Sequence, residues 1–251
     1  MYKMVFDTET TALDKPFCYD VGYGVINDES GEVVEEKHFV IEQVWHNLPL
    51  FESAYYKEKR QKYVSLMRGK KASLVKWGQA MKAMTQDIKK YGITDAYAYN
   101  STFDDKVFSF NCDWYKCNNP LDTVAIHDIW GYASEVITST EEYKIFCEEQ
   151  KQFTDTGNYK GSAEAVYRFI TKEYDFEEEH MGLYDAEIEA TILLYCVDNG
   201  AKWDTDYEVT KILPRLVKKP FTVKINGQVM ITGEYVKKYC RNDVYNFTVT
   251  D

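Results

Sequence analysis

The first 41 residues carry three short stretches rich in β-branched and aromatic side chains, Tyr2 to Asp7, Tyr19 to Ile26 and Val33 to Ile41, which read as strands. The turn signal Asn27-Asp28-Glu29-Ser30-Gly31 separates the last two. Three consecutive strands with short connections predict an antiparallel meander. From Ser73 to Tyr91 the pattern changes period: Leu74, Trp77, Met81, Met84 and Ile88 recur every three or four residues, the stripe of an amphipathic helix, and Gly92 supplies a stop. Ala96 to Tyr99 reads as a short strand leading into a helix from Phe103 onward, and Leu121 to Ile126 as a further strand. Ser162 to Tyr174 and Leu183 to Val197 return to helical spacing, the second through Leu183, Ala186, Ala190, Leu193 and Val197. Strands first and alternating strands and helices afterwards predict an α/β fold, a mixed sheet with helices on its faces.

After Pro214 the pattern becomes β-rich again. Phe221 to Ile225 and Val229 to Ile231 flank Asn226-Gly227, a strong hairpin signal. Residues 1–214 are therefore expected to form the main domain and 215–251 a small β-rich C-terminal appendage.

Composition narrows the class. With 45% hydrophobic residues in 251, the chain has enough apolar surface for a packed core, and disorder is excluded. Apolar runs such as Ile192 to Val197 fall far short of the ~20 residues that span a bilayer, and no signal-peptide core follows Met1. A soluble, unexported, cytoplasmic protein with no membrane partner is expected. The six cysteines, Cys18, Cys112, Cys117, Cys147, Cys196 and Cys240, form no CxxC pair and read as reduced thiols. Forty-one acidic against 30 basic residues give a formal charge of −11, which argues against general coating of a polyanion by the whole surface. A nucleic-acid enzyme stays open, because divalent metal neutralises an acidic site and local basic patches can steer.

Candidate chemistry begins at Val5-Phe6-Asp7-Thr8-Glu9-Thr10-Thr11, where an apolar strand ends in two acids at i and i+2. Residues two apart on a strand share a face, so Asp7 and Glu9 present paired carboxylates, hard oxygen ligands for Mg²⁺ or Mn²⁺. An isolated D-x-E is more often a solvated strand end. Ala98-Tyr99-Asn100-Ser101-Thr102-Phe103-Asp104 places another acid at the opening of a helix, and Glu179-His180-Met181-Gly182-Leu183-Tyr184-Asp185-Ala186 puts His180 five residues before an acid in the first helical turn. Either acid alone also reads as a helix N-terminal charge.

Together, in this order and with this local spelling, the three blocks resemble the DEDDh group of 3′→5′ exonucleases, over roughly residues 2–200. Asp7 and Glu9 match the first exonuclease motif, Asp104 with Asn100 and Phe103 the second, and His180 with Asp185 the third. Leu121-Asp122-Thr123 and the run Ser162 to Phe169 resemble segments flanking the second and third motifs. The wording is most similar to exonucleases of bacteriophages of low-GC bacteria, which would place the protein in the host cytoplasm. Gly182 and Ala12 depart from the family's usual Ala and Gly, leaving details of the substrate pocket open.

The resemblance implies an RNase H-like fold, a mixed sheet whose first three strands are antiparallel, in agreement with the meander. It implies that Asp7, Glu9, Asp104 and Asp185 hold two Mg²⁺ or Mn²⁺ ions, with His180 and Glu9 catalytic and His180 the general base. It also implies that Thr8, Thr10, Leu13, Asn100 and Phe103 contact the last nucleotides, Leu13 either as a wedge between bases or simply as a core residue. His38, His46 and His127 have no acidic motif beside them and read as structural or surface residues.

Between Lys57 and Lys71 seven basic residues stand against one acid, Glu58, with Tyr55, Tyr56 and Tyr63 interleaved. Such a run is either a solvated face or a track for a single strand, with Lys59, Arg60 and Lys62 the contacts. Lys211, Arg215, Lys218 and Lys219 form a weaker basic group. The expected function is metal-dependent 3′→5′ hydrolysis of single-stranded or frayed DNA. The alternatives are an exoribonuclease trimming short RNA or RNA 3′ ends, and a nonenzymatic nucleic-acid-binding module on the same fold. The expected partners are single-stranded DNA or RNA 3′ ends, and a polymerase or replication partner is not readable from these residues.

Overall fold

A computed structural model of the chain describes residues 1–210 and 212, together with the backbone of three strands at 217–225, 228–237 and 245–249. The main sheet has six strands in the order β4-β3-β2-β1-β5-β6. β1 (Tyr2–Thr10), β2 (Cys18–Asn27) and β3 (Val33–Ile41) pair antiparallel, as the meander predicts, while β4 (Ser73–Val75), β5 (Asp95–Ala98) and β6 (Ala125–Asp128) each join parallel.

Strand alternation sorts β1 into two cores. Met4 and Phe6 point into a cluster with Trp77, Met81, Met84, Val107 and Phe108, whereas Val5 points into another with Ile129, Tyr132, Val166, Ala186 and Leu193. Helices cover both faces and the meander's end: α1 (Glu42–Trp45), α2 (Leu48–Phe51), α3 (Arg60–Arg68), α4 (Trp77–Tyr91), α5 (Ser101–Tyr115), α6 (Ile129–Ala133), α7 (Glu141–Glu149), α8 (Ala163–Thr171) and α9 (Gly182–Asp198). Each large apolar side chain buried this way contributes about 1.5–3 kcal/mol.

Two sequence expectations shift. Ser73 to Val75 is a strand rather than the first helical turn, and α4 starts at Trp77, where the Gln79 side chain accepts from the Lys76 N–H at 2.9 Å. Leu121 to Ile126 is not one strand. Asn119 and Pro120 begin a short 3-10 turn, the Asn119 side chain accepting from the Leu121 N–H at 3.1 Å, and β6 starts only at Ala125.

At the end of the sheet where β1 begins, Lys3 is fully buried with its ammonium on Asp95 (3.0 Å) and on Asp204. His127 bridges Asp95 (3.1 Å) and Asp206 (2.8 Å), which fastens the segment after α9 to the sheet. These acids come from distant parts of the chain, so no local motif announced them. The Lys3 ammonium stands among Asp95, His127 and Asp204 and supplies the positive charge there.

β7 (Val217–Ile225), β8 (Gln228–Lys237) and β9 (Tyr245–Val249) form a separate antiparallel sheet. The Asn226-Gly227 turn, Cys240, Lys211 and Arg215 lie outside the described residues, and β7 contains Lys218 and Lys219. Cys18, Cys112, Cys117, Cys147 and Cys196 are free thiols. Among the described residues no helix is long and apolar enough to cross a membrane.

Candidate active site

The site forms where β1, β5 and α9 meet. Asp7 and Glu9 follow Val5 on the α9-facing side of β1, as period-two geometry demands, opposite Gly22 and Asp20 of β2. Thr8, on the other face, donates from its hydroxyl to Asp104 Oδ1 at 2.6 Å. Thr8 is thus buried and orients a carboxylate. Asp104 stands in the first turn of α5, which opens abruptly after β5 because Asn100 adopts a left-handed backbone (φ 60°), a conformation asparagine tolerates better than most side chains. The Asn100 N–H donates to Asp128 Oδ1 at 2.9 Å.

Asp185 is set by the start of α9. Its Oδ2 accepts from the Met181 N–H at 2.9 Å, and the Gly182 N–H donates to the fully buried Asp20 Oδ2 at 2.9 Å. Asp20 also accepts from the Tyr63 hydroxyl at 2.6 Å and faces His38 Nε2 at 2.8 Å. Burial draws the His38 imidazole down, but Asp20 more than offsets it and leaves the pKa raised. β2 and α9 touch backbone to backbone: a Cβ on Gly22 would stand 1.9 Å from the Leu183 nitrogen, and one on Gly182 would stand 2.7 Å from the Gly22 nitrogen. Glycine at 182 therefore has a local cause.

A fifth acid, outside the three sequence blocks, joins the cluster. Glu189, one helical turn after Asp185, is buried and accepts from the Tyr99 N–H at 3.0 Å. The available signal was an acid in register with Asp185 on an otherwise apolar helix stripe. Burial first, then mutual repulsion, pushes these carboxylates upward. Asp7 rises well above the ordinary range under the charges of Asp104, Glu189, Asp185 and Glu9. Glu9 and Glu189 rise likewise. Asp104 is pushed up to about 7 although the Thr8 bond opposes it, and Asp185 to about 8 with Glu178 beside it. Glu178 itself is raised to about 7 by burial and Glu164.

His180 joins this group with a positive φ of 46°. One ligand atom each of Glu9, His180 and Asp185 lies within 4.8 Å of the others. The imidazole stacks on Tyr56, centroids 4.1 Å apart and planes 11° from parallel. Lys59 lies over the same Tyr56 ring, 4.5 Å from its centroid, and its ammonium donates to the Glu179 carbonyl. Burial, and next the Lys59 charge, lower the His180 pKa.

Two clefts share Glu9 and His180. The smaller, about 410 Å³, runs along Thr8 to Leu13 and is closed by Tyr55, Tyr56 and Phe103. Leu13 is 75% exposed, which removes the core-packing alternative. The larger, about 630 Å³, is lined by Asp7, Asp185 and Glu189 beside Tyr99, Asn100 and Trp130. The basic segment begins with a 3-10 turn and continues as α3. Lys62 pairs with Glu179, whereas Arg60 is turned inward: its guanidinium lies 4.0 Å from the Trp45 centroid and 4.7 Å from that of Phe51 and donates to the Trp45 carbonyl at 3.0 Å.

The carboxylate oxygens fit a hard divalent cation, which prefers oxygen ligands. Asp185 Oδ1 is buried with no hydrogen-bond partner among the described residues, the condition of an acceptor oxygen made for a ligand.

No family model matches the sequence, and no curated protein does. Solved structures do. The nuclease domain of 3′hExo, a DEDDh family member, bound to rAMP, superposes with a TM-score of 0.52 at 9% identity over 84% of this chain and 97% of that one. A 3′-exonuclease structure showing 3′-end specific recognition of a histone mRNA stem-loop gives 0.53 at 9% identity over 91% of this chain and 89% of that one. At such identities the likeness is one of fold: the six-stranded mixed sheet with flanking helices is the RNase H-like exonuclease fold.

Proposed function

We propose that the chain is a divalent-metal-dependent 3′→5′ exonuclease acting on single-stranded or frayed DNA. The convergence of Asp7, Glu9, Asp104 and Asp185 with His180, from three distant segments at one end of the sheet, carries this reading. Mg²⁺ or Mn²⁺ held by these carboxylates would supply Lewis acidity at the scissile phosphate and lower the pKa of a bound water.

The chain's own residues do the rest. His180, kept neutral near pH 7 by burial and by Lys59, is the base that takes the proton of the attacking water at a ring nitrogen. Tyr56 fixes the plane of that ring, and Thr8 fixes Asp104. The exposed Leu13, with Thr10, Tyr55 and Phe103, offers an apolar slot for the terminal base. Lys59 and Lys62 brace the loop carrying His180 through Glu179, while Asn100 sets the α5 entry.

An RNA 3′ end is the second reading, because both solved structures above hold or recognise RNA or a ribonucleotide. Matched 5′-labelled DNA and RNA, single- and double-stranded, digested with Mg²⁺, Mn²⁺ or chelator, decide between them. Faster loss of 3′ nucleotides from DNA single strands supports the first reading, and preference for RNA overturns it in favour of the second.

A further inference from the structure

The larger cleft has an aromatic wall that the reaction scheme leaves unused. Tyr99 and Trp130 stack on each other, centroids 6.1 Å apart and planes 17° from parallel. Hydrogen bonds hold the Tyr99 ring and the backbone of both residues. The Tyr99 hydroxyl donates to the Gly161 carbonyl at 2.6 Å, the Tyr99 backbone N–H donates to Glu189, and the Trp130 backbone N–H donates to Asp128 Oδ1 at 2.9 Å. Asp128 also accepts from the Asn100 N–H, so the wall and the α5 entry share one anchor. Gly161 lies against the indole edge, where a Cβ would be 3.0 Å from Trp130 Nε1.

Trp130 is half-buried and, among the described residues, Tyr99 is its sole stacking partner. A preset aromatic surface takes a planar ligand without the cost of ordering a mobile side chain. Lys160 lines the same cleft and adds a positive charge suited to a phosphate. Planar stacking beside a lysine is the chemistry that holds a nucleotide of a single strand regardless of base.

Position decides which nucleotide. The two clefts share only Glu9 and His180 and are otherwise lined by different residues, so they adjoin at the reacting centre. Removal of one nucleotide from a 3′ end breaks the bond between the last two residues, and a strand splayed at that bond seats their two bases in the two clefts. Taking the exonuclease reading as given, we propose that Trp130, backed by Tyr99, is a stacking subsite for the penultimate base, while the Leu13 and Phe103 cleft takes the terminal one.

The test is a coupling cycle read by binding. Affinities of the full chain, and of its Trp130→Leu and Trp130→Phe variants, are measured in Ca²⁺ for a short single strand, for the same strand abasic at the penultimate position, and for one abasic at the 3′-terminal position. The penultimate abasic site should weaken binding to the parent by about 5- to 160-fold, the span of base stacking on an aromatic side chain. It should have little further effect in Trp130→Leu, keep most of its effect in Trp130→Phe, and the terminal abasic site should weaken all three proteins equally. An undiminished penultimate penalty in Trp130→Leu, or coupling of Trp130 to the terminal base, overturns the proposal. Because binding is read without turnover, coupling in a protein that cuts no strand would sustain the subsite while rejecting the exonuclease reading.

Discussion

The imidazole of His180 lies flat on the ring of Tyr56, 4.1 Å between centroids. Stacking of this kind fixes the plane of the imidazole. His180→Ala should lower kcat by about 10²- to 10⁴-fold, the usual span for a general base. Burial and Lys59 lower its pKa, so the acid limb of the pH–rate profile should lie below the ordinary histidine value of about 6.5. Lys59→Gln removes a positive neighbour and should move that limb upward. A limb unmoved by either variant would leave His180 without the proton.

The carboxylate cluster should make the metal-free protein sensitive to pH. Acids whose pKa is raised on folding bind protons more tightly in the folded state. Their destabilising effect is therefore absent below the unfolded value of about 4 and grows as pH rises toward the folded values. With Asp104 at about 7 and Asp185 at about 8, Tm in chelator should fall between pH 4 and pH 8. Asp185→Asn should flatten that fall, and Mn²⁺ should raise Tm more at pH 8 than at pH 5. Equal metal stabilisation at both pH values would contradict the assignment.

Gly22 and Gly182 are where β2 and α9 approach most closely. Gly182→Ala places a methyl 2.7 Å from the Gly22 nitrogen, so α9 must shift and carry Asp185 with it. Overpacking of this kind costs about 1–3 kcal/mol. Thermal unfolding should show that loss, and metal affinity measured by calorimetry should fall with it. Gly22→Ala, with its Cβ 1.9 Å from the Leu183 nitrogen, should be the more severe.

Arg60 and Lys62 are neighbours in sequence with different work. Arg60→Gln removes a guanidinium packed on Trp45 and Phe51 and should cost about 1–2 kcal/mol, while leaving the salt dependence of oligonucleotide binding unchanged. Lys62→Gln breaks an exposed pair with Glu179 and should cost under about 1 kcal/mol. Denaturant unfolding and binding at several salt concentrations separate the two.

The meander, the helical stripes and the three acidic blocks were legible because each is local: period two around Val5, period 3.6 through Trp77 and Met84, and acids at a strand end and at helix starts. Long-range partners were not legible. Asp20 reads as an ordinary strand residue until Tyr63, His38 and Gly182 close on it from three other elements. Glu189 looked like one more charge on a helix until Tyr99, Asp104 and Asp185 surrounded it. Arg60 was grouped by charge with Lys59 and Lys62, although the aromatic side chains that take it inward come from α1 and α2. The stack of Tyr56 on His180 joins residues 124 positions apart, beyond any sequence period.

The most direct measurement is the direction and metal dependence of cleavage on one substrate. A 5′-labelled single-stranded oligonucleotide incubated with the full chain and Mg²⁺ or Mn²⁺ should yield a ladder of labelled products shortening from the 3′ end. That ladder should vanish in chelator and in Asp7→Asn and Asp185→Asn variants that still fold. Release of the labelled 5′ nucleotide first, or an undiminished ladder from either variant, would contradict the account.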